Sequence, residues 1–361
     1  MPEFISGVQL SKRFYTEAVR PILEKHYPGL KYSVARLGHG SEILGFDDER
    51  STDHHWGLWL QLFLSDAYYL RYSSDIKAIL GQELPYEFMG YPTNFGAPDD
   101  DGVRHPEKIL RGSINHGVEI WTVISFVKHL LDFDPSANIK AKDWLTFPQQ
   151  ELLCITGGEV FFDDTGELNN IRKKLAYFPE DVWLYLVTCQ WQRIAQEEAF
   201  MGRSGEVGDE VGSRIIASRL VRDLMKLCFL FERTYFPYSK WLGTAFSRLK
   251  CSPDLTPVFA HVLNAITWQG REKWLSRAYE YVGNLHNSLG ITRPVEVKVS
   301  PYFSRPFMVI HADRFVKASL EAIKDPEVKA IKTLIGSVDQ FSDSTDFLTD
   351  PRIFRRVKDI F

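Results

Sequence analysis

Residues 37–64 read LGHGSEILGFDDERSTDHHWGLWLQLFL, and this stretch decides the predicted fold. The extended run Tyr32–Leu37 before it predicts a strand that ends in a glycine turn, Gly38–Ser41. Glycine permits a close approach of the backbone, and successive backbone N–H groups in a turn can bind a phosphate. Gly40 and Ser41 are therefore candidates for a phosphate cradle, and an ordinary turn is the alternative.

The apolar run after the turn predicts a second strand, Asp53–Leu64. Side chains two apart on a strand share a face, so Asp53, His55 and Gln61 are expected to point the same way. A carboxylate at the start of an apolar strand needs a partner such as a metal ion or an arginine, because burying an unpaired charge is costly. For His55, a metal ligand, a phosphate donor and a packed histidine are all open.

Composition indicates a globular chain with ample core material. It has 361 residues, 44% of them hydrophobic, and a net charge of −4. The length favours two domains. The slightly negative net charge does not favour nucleic-acid binding, which usually shows as a strongly basic face. No run of about 18 apolar residues predicts a membrane helix, and the N-terminal stretch Met1–Phe4 has no basic region leading into an apolar core as a signal peptide would, so a cytoplasmic protein is expected. The four cysteines form no CxxC pair and are expected to be buried thiols.

Later parts of the N-terminal half predict two more strands and a long loop. Leu84–Tyr91 is a candidate third strand, and residues 92–113 are a loop rich in Gly, Pro and Asp. His116–Val123 predicts a further strand that leads into a helix through Leu131. Glu119 stands in the middle of that strand, and an edge or solvent-facing strand residue is its ordinary interpretation.

From about residue 140 onward the pattern becomes helical. Amphipathic stretches with polar or proline starts predict helices at residues 148–155, 167–176, 179–201, 209–235, 238–249, 257–268, 271–289 and 312–324. Gly158–Asp163 predicts a small hairpin. We therefore predict an α+β chain with an α/β domain over residues 1–140 and a mainly α-helical domain over residues 141–361.

Several charged residues of the helical part are candidate ligand contacts. Arg219 and Arg222 are three apart on one helix and can bind phosphate oxygens or form internal salt bridges. Lys240 can lie near a substrate or extend along the surface. Glu197 and Glu198, at the end of a helix, are candidates for a general base.

Two common nucleotide-binding motifs are excluded. A dinucleotide fingerprint that begins at Gly38 requires a third glycine at position 43, where the chain has Ile43. The sequence also contains no GxxxxGK[ST] phosphate-binding loop.

Five blocks of the sequence carry a resemblance to a known family: Gly40–Asp47, Ser51–Gly57, Gly208–Ser213, Arg219–Met225 and Pro237–Gly243. They resemble the uncharacterised bacterial domain-of-unknown-function family 4037, which is placed by resemblance in the polymerase-beta-like nucleotidyltransferase superfamily. The superfamily pattern is Gly-Ser, a gap of about ten residues, and acid-x-acid on a strand. The resemblance extends from about Gly38 to Pro306.

The resemblance implies a nucleotidyltransferase-like small mixed sheet with flanking helices, followed by the helical domain. It implies transfer of a nucleoside monophosphate, AMP by first choice, from ATP or another nucleoside triphosphate to an unidentified acceptor bound by the helical domain. Asp53, His55 and Glu119 would be the catalytic residues and would bind Mg²⁺ or Mn²⁺. In the superfamily a third carboxylate comes from a later strand beside the first pair, and Glu119 is the first choice for it, with Glu87 the second choice. The nucleotide-binding residues would be Gly40, Ser41, Arg219, Arg222 and Lys240.

The residue His55 departs from the superfamily pattern, which has a carboxylate at this position. Mg²⁺ prefers oxygen ligands, whereas imidazole suits Zn, Mn or Fe. His55 therefore favours a second hypothesis, a catalytically inactive member that binds a nucleotide or a partner protein. A third hypothesis makes the aromatic helical domain an oligomerisation module.

Overall fold

The computed structural model describes residues 3–54, 56–100 and 102–361. The protein is α+β, with a small mixed sheet near the N-terminus and a helical C-terminal region, which confirms the predicted fold class. The chain divides into two compact units, residues 1–138 with 151–176, and residues 139–150 with 177–361. This division differs from a single boundary at residue 140, because the segment 151–176 carries a strand of the first unit's sheet.

The main sheet of the first unit has four strands in the spatial order β5 (Gly117–Trp121), β2 (Trp59–Phe63), β1 (Ser33–Arg36) and β6 (Glu159–Asp163). Strand β1 is antiparallel to β2 and to β6, and β2 is parallel to β5. The remaining two strands pair only with each other, so the predicted third strand is in fact a short hairpin. The bounds are β1 Ser33–Arg36, β2 Trp59–Phe63, β3 Glu87–Phe88, β4 Tyr91–Pro92, β5 Gly117–Trp121 and β6 Glu159–Asp163.

Strand β6 corrects the predicted hairpin at Gly158–Asp163. Its residues pair with β1 at the edge of the sheet, with Phe162 opposite Val34. A strand that finds its partner more than a hundred residues away gives no local sequence signal, whereas a hairpin needs only neighbouring residues.

The two faces of the sheet have different compositions. Val34, Leu60, Leu62 and Val118 are buried in one apolar cluster with Phe14 of the first helix. Each such side chain contributes about 1.5–3 kcal/mol when fully buried. Because side chains alternate along a strand, the polar side chains of β2 and β5 lie on the opposite face.

The helices up to residue 176 form for local reasons. Ser65 caps the helix after β2, since its side chain accepts a hydrogen bond from the N–H of Tyr68. The first long helix contains a wider π turn, Tyr15–Val19, before Pro21, which has no N–H and would clash in a regular helix. The bounds are α1 Gly7–Phe14, α2 Arg20–His26, α3 Asp66–Glu83, α4 Val123–Leu131, α5 Ala141–Thr146, α6 Gln149–Thr156 and α7 Glu167–Lys174.

The second unit is helical apart from one short strand pair, β7 Ser300–Pro301 with β8 Met308–Val309. Its longest helix begins after Asp209, whose side chain accepts a hydrogen bond from the N–H of Gly212 at 2.8 Å. The bounds are α8 Glu180–Glu197, α9 Phe200–Glu206, α10 Glu210–Phe231, α11 Ser239–Phe246, α12 Ser252–Asn264, α13 Trp268–Ser288, α14 Asp313–Ala322, α15 Pro326–Lys329, α16 Val338–Phe341, α17 Thr345–Thr349 and α18 Pro351–Phe354.

The cysteine prediction is confirmed, since all four cysteines are buried thiols. Within the described part of the chain, no helix combines the length and the apolar character needed to cross a bilayer.

Candidate functional site

A glycine turn follows β1 and is attached to two neighbouring elements. Gly38 and Gly40 have φ angles of +89° and +141°, a region that favours glycine. The N–H of Leu37 donates to Oε1 of Gln61 at 2.8 Å. The N–H of Gly38 donates to the carbonyl of Cys154 at 2.8 Å. The turn is therefore held to β2 on one side and to α6 on the other.

Arg36, at the end of β1, is a buried cation that the sequence analysis missed. Its guanidinium pairs with the Glu42 carboxylate, and each side chain is 2% exposed. It also donates to the carbonyls of Leu37 at 2.7 Å and His39 at 3.3 Å. These bonds fix the backbone path through the turn. A charged residue in an otherwise apolar strand, with an acid six positions later, was the available sequence signal.

Asp53 does not lie on a strand, which corrects the prediction that the second strand begins there. It ends a 3₁₀ helix, Glu49–Asp53, and β2 begins only at Trp59. The physical reason is Gly57, whose φ of +76° interrupts the extended backbone. The Asp53 side chain is 65% exposed, and its Oδ1 lies 2.9 Å from Nδ1 of His54. Its carboxylate is thus accessible to a cation from solvent.

The loop over residues 92–113 contacts Asp53 through His105. The Nδ1 of His105 lies 3.1 Å from the carbonyl oxygen of Asp53, and its Nε2 lies 3.0 Å from Oδ2 of Asp99. Hydrogen bonding to the Asp99 carboxylate, and then to the Asp53 carbonyl, raises the pKa of His105. The loop therefore places a readily protonated imidazole beside Asp53.

His55 lies outside the described residues. Its predicted roles as a metal ligand and a catalytic residue stay predictions, and so does its convergence with Asp53 and Glu119.

Glu119 lies in the middle of β5, directly opposite Gln61 of the parallel strand β2. Its Oε2 accepts hydrogen bonds from Nε2 of Gln61 at 3.0 Å and from Nε1 of Trp121 at 3.3 Å. Gln61 also accepts the N–H of Leu37, so one buried amide connects the glycine turn to the Glu119 carboxylate. The second choice, Glu87, lies on the separate β3–β4 hairpin and pairs with Lys108 at 3.5 Å.

Arg104 is a second cation of the first unit that the sequence analysis missed. Its guanidinium stacks 5.3 Å from the ring centre of Trp59, which shares a sheet face with Gln61 and Glu119. Burial lowers the pKa of Arg104, and the Glu119 charge opposes that shift. The polar sheet face therefore carries a cation as well as a carboxylate.

The predicted phosphate-binding residues of the second unit have partners within that unit. Arg219 pairs with Glu197 at 2.5 Å, and Arg222 pairs with Asp343 at 2.5 Å. The Lys240 ammonium lies 5.1 Å from the ring centre of Trp241. The two arginines form the salt bridges that the sequence left open as an alternative, and contact with a nucleotide stays a prediction for all three cations.

Glu198 is a buried acid of the second unit whose ionisation is perturbed. Burial raises its pKa to about 7, and its Oε1 accepts the N–H of Ala312 at 3.3 Å. A carboxylate with a pKa near neutrality is suited to a general base.

The chain was compared with known families, curated proteins and solved structures. Residues 144–242 match the family described as "Domain of unknown function (DUF4037)", which confirms the predicted resemblance over this segment. A comparison with curated proteins finds none that matches. A solved nucleotidyltransferase-like protein from Exiguobacterium sibiricum 255-15 is 12% identical, with 82% of each chain covered and a TM-score of 0.30. A structural similarity at this level carries no argument about fold or activity.

Proposed function

We propose that this protein is a metal-dependent nucleotidyltransferase that transfers AMP from ATP, or another nucleoside monophosphate from its triphosphate, to a hydroxyl acceptor. The observation that carries the proposal is the Gln61 bridge. One side chain accepts the N–H of Leu37 at the glycine turn and donates to the Glu119 carboxylate. A candidate phosphate cradle and a candidate metal ligand are thereby held in one hydrogen-bonded network.

The strand arrangement supports the same proposal. The glycine–serine turn leaves β1, the next long strand β2 is its antiparallel neighbour, and β5 is parallel to β2 on the far side. A phosphate at the turn and an acid on the third strand can then face the same side of the sheet, as the sequence pattern predicts.

The available oxygen ligands fit a hard divalent cation such as Mg²⁺ or Mn²⁺. Both hydrogen bonds to Glu119 reach Oε2, and no donor among the described residues reaches its Oε1. The Asp53 carboxylate is exposed. Asp53 and Glu119, together with His55, would hold the ion. When bound, the ion would neutralise negative charge on the phosphates.

The proposed reaction is an in-line displacement at phosphorus. An acceptor hydroxyl oxygen forms a bond to the α-phosphorus, the bond from that phosphorus to the bridging oxygen breaks, and pyrophosphate leaves with the electron pair. The hydroxyl proton passes to a base. Gly40 and Ser41 would bind the β- and γ-phosphates, and fixed positions with charge neutralisation supply most of the acceleration.

The test is release of pyrophosphate and transfer of label from α-labelled nucleoside triphosphates in the presence of Mg²⁺ or Mn²⁺. Asp53→Asn and Glu119→Gln should each lower the rate by roughly 10²–10³, because each removes a charge that acts on the transition state. Asp100→Asn, which changes an exposed acid of the same unit, is the matched control and should retain activity.

The binding measurements separate the remaining alternatives. Metal-dependent nucleotide binding without pyrophosphate release would indicate a catalytically inactive member of the family. Absence of nucleotide binding by the wild-type protein would refute the proposal and favour an interaction or oligomerisation module.

A further inference from the structure

Three metal-ligating side chains of different types meet beside the glycine turn. The ligand atoms of His39, Glu151 and Cys154 all lie within 4.8 Å of one another. Across residues 3–54, 56–100 and 102–361, this is the one group of three His, Cys, Asp or Glu side chains that meets so closely. None of the three belongs to the predicted nucleotide site.

Local structure explains why these side chains meet. Glu151 and Cys154 are three residues apart on α6, and that spacing places them on one face of the helix. His39 lies between two glycines with positive φ angles in the turn after β1. The hydrogen bond from the N–H of Gly38 to the carbonyl of Cys154 fixes the turn against this part of the helix. The backbone therefore presents the imidazole to the Glu151 and Cys154 face.

Burial and charge favour a cation at this point. The Glu151 side chain is 1% exposed, whereas His39 is 56% exposed, and His39 Nε2 lies 3.1 Å from Oε1 of Glu151. A buried carboxylate requires a positive partner. The Cys154 sulfur, and then the Glu151 carboxylate, raise the pKa of His39. The two buried groups thus attract positive charge, and the exposed imidazole leaves one side of the cluster open to solvent.

We propose that His39, Glu151 and Cys154 bind one divalent transition-metal ion of the zinc class. Sulfur, imidazole nitrogen and carboxylate oxygen are the three ligand types that Zn²⁺ takes in proteins. Three protein ligands with an open side leave a fourth position for water or another small ligand, in contrast to closed structural sites with four protein ligands. A thiolate ligand selects against Mg²⁺ and Ca²⁺. None of these three ligands is among those proposed for the nucleotidyltransferase centre, although His39 lies next to Gly40 of the candidate phosphate cradle.

Binding requires a defined change in protonation. The Cys154 thiol loses its proton to solvent as the Zn–S bond forms, and His39 binds the ion through a neutral ring nitrogen. The ion replaces the proton that His39 shares with Glu151, and it links the glycine turn directly to α6. Metal affinity should accordingly fall as the pH is lowered.

The experiment uses the full-length protein after treatment with a chelator. Titration with Zn²⁺ and with Co²⁺ should give one equivalent bound, with a thiolate-to-cobalt charge-transfer band in the near ultraviolet. Cys154→Ser should abolish that band, and His39→Ala and Glu151→Gln should each weaken Zn²⁺ binding by more than roughly 10-fold, since even changes around metal ligands cost ~10–100-fold.

Cys251→Ser is the matched control, because Cys251 is also a buried thiol and hydrogen bonds with Cys228 in the second unit. This variant should keep the stoichiometry and the absorption band. The proposal is overturned if wild type binds no Zn²⁺, if Cys154→Ser keeps the cobalt band, or if Mg²⁺ competes as well as Zn²⁺. Should Cys154→Ser fail to fold, His39→Ala decides, since its side chain is half-exposed: unchanged Zn²⁺ affinity in that variant would refute the site.

Discussion

Replacing Glu42 with glutamine removes the carboxylate that pairs with the buried Arg36 guanidinium. The Arg36 and Glu42 side chains are each 2% exposed, so water cannot readily solvate the Arg36 guanidinium once the Glu42 charge is removed. Breaking a buried ion pair from one side costs about 3–5 kcal/mol. Arg36 retains the carbonyls of Leu37 and His39, which places the expected loss near the lower end, at about 3 kcal/mol. That loss corresponds to about two orders of magnitude in the unfolding equilibrium.

Urea unfolding measures this loss. A loss of about 3 kcal/mol should lower the midpoint of the first unit's transition by roughly 1 M or more, given slopes of about 1–3 kcal/mol per molar. Hydrogen exchange of the β1 amides follows the first unit separately. The matched control is Glu17→Gln, which breaks the Arg13–Glu17 pair, with both side chains 47% exposed. An exposed pair of this spacing contributes little to stability, so this variant should leave the midpoint almost unchanged.

A double variant tests the cause of the effect. Arg36→Met combined with Glu42→Leu should recover much of the loss, because replacing both members of a buried pair with apolar groups is often close to neutral. If Glu42→Gln shifts the midpoint no more than Glu17→Gln does, the Arg36 charge is hydrated in solution and the reasoning from burial is wrong.

Two further predictions concern buried polar groups of the first unit. Gln61→Leu should lower the free energy of unfolding by about 1–3 kcal/mol, because it leaves the Leu37 N–H without its acceptor and removes one of the two donors to Glu119. Urea unfolding measures this loss, and Gln82→Leu on the exposed surface of α3 is the control. Equal effects of the two variants would contradict the bridge. Burial lowers the pKa of His116 to about 4, so the unfolded chain gains a proton as the pH falls through about 6.5 while the folded chain does not. The free energy of unfolding should therefore decline as the pH falls from 6.5 to 4, by a total on the order of 3 kcal/mol. His116→Gln should flatten the pH profile of the unfolding midpoint. An unchanged profile in that variant would show that another group titrates.

Elements defined by neighbouring residues could be predicted from the sequence. Three such elements follow from residues that are close together in sequence: the Ser65 cap, the polar start of α10 at Asp209 and the strand through Glu119. The glycine turn after β1 also has a local cause, since positive φ angles require glycine. The overall α+β class follows from the same local patterns.

The placement of Asp53 shows where local reasoning failed. An apolar run with an acid at its start predicts one continuous strand, but the left-handed Gly57 delays β2 to Trp59. Gly57 is visible in the sequence, but the hydrophobic periodicity alone did not indicate that this glycine interrupts the strand. The consequence is an acid on an exposed 3₁₀ helix instead of a strand.

The sequence by itself determined the helices, the glycine turn and the acids available to a nucleotide site, because short-range capping, periodicity and backbone freedom depend on adjacent residues. Only the tertiary structure decided that β6 joins β1, that Gln61 connects the turn to Glu119, and that His39 meets a carboxylate 112 positions away. Such pairings are set by burial and hydrogen bonding across the whole unit, and the free energy that selects them has no counterpart in any short stretch of the chain.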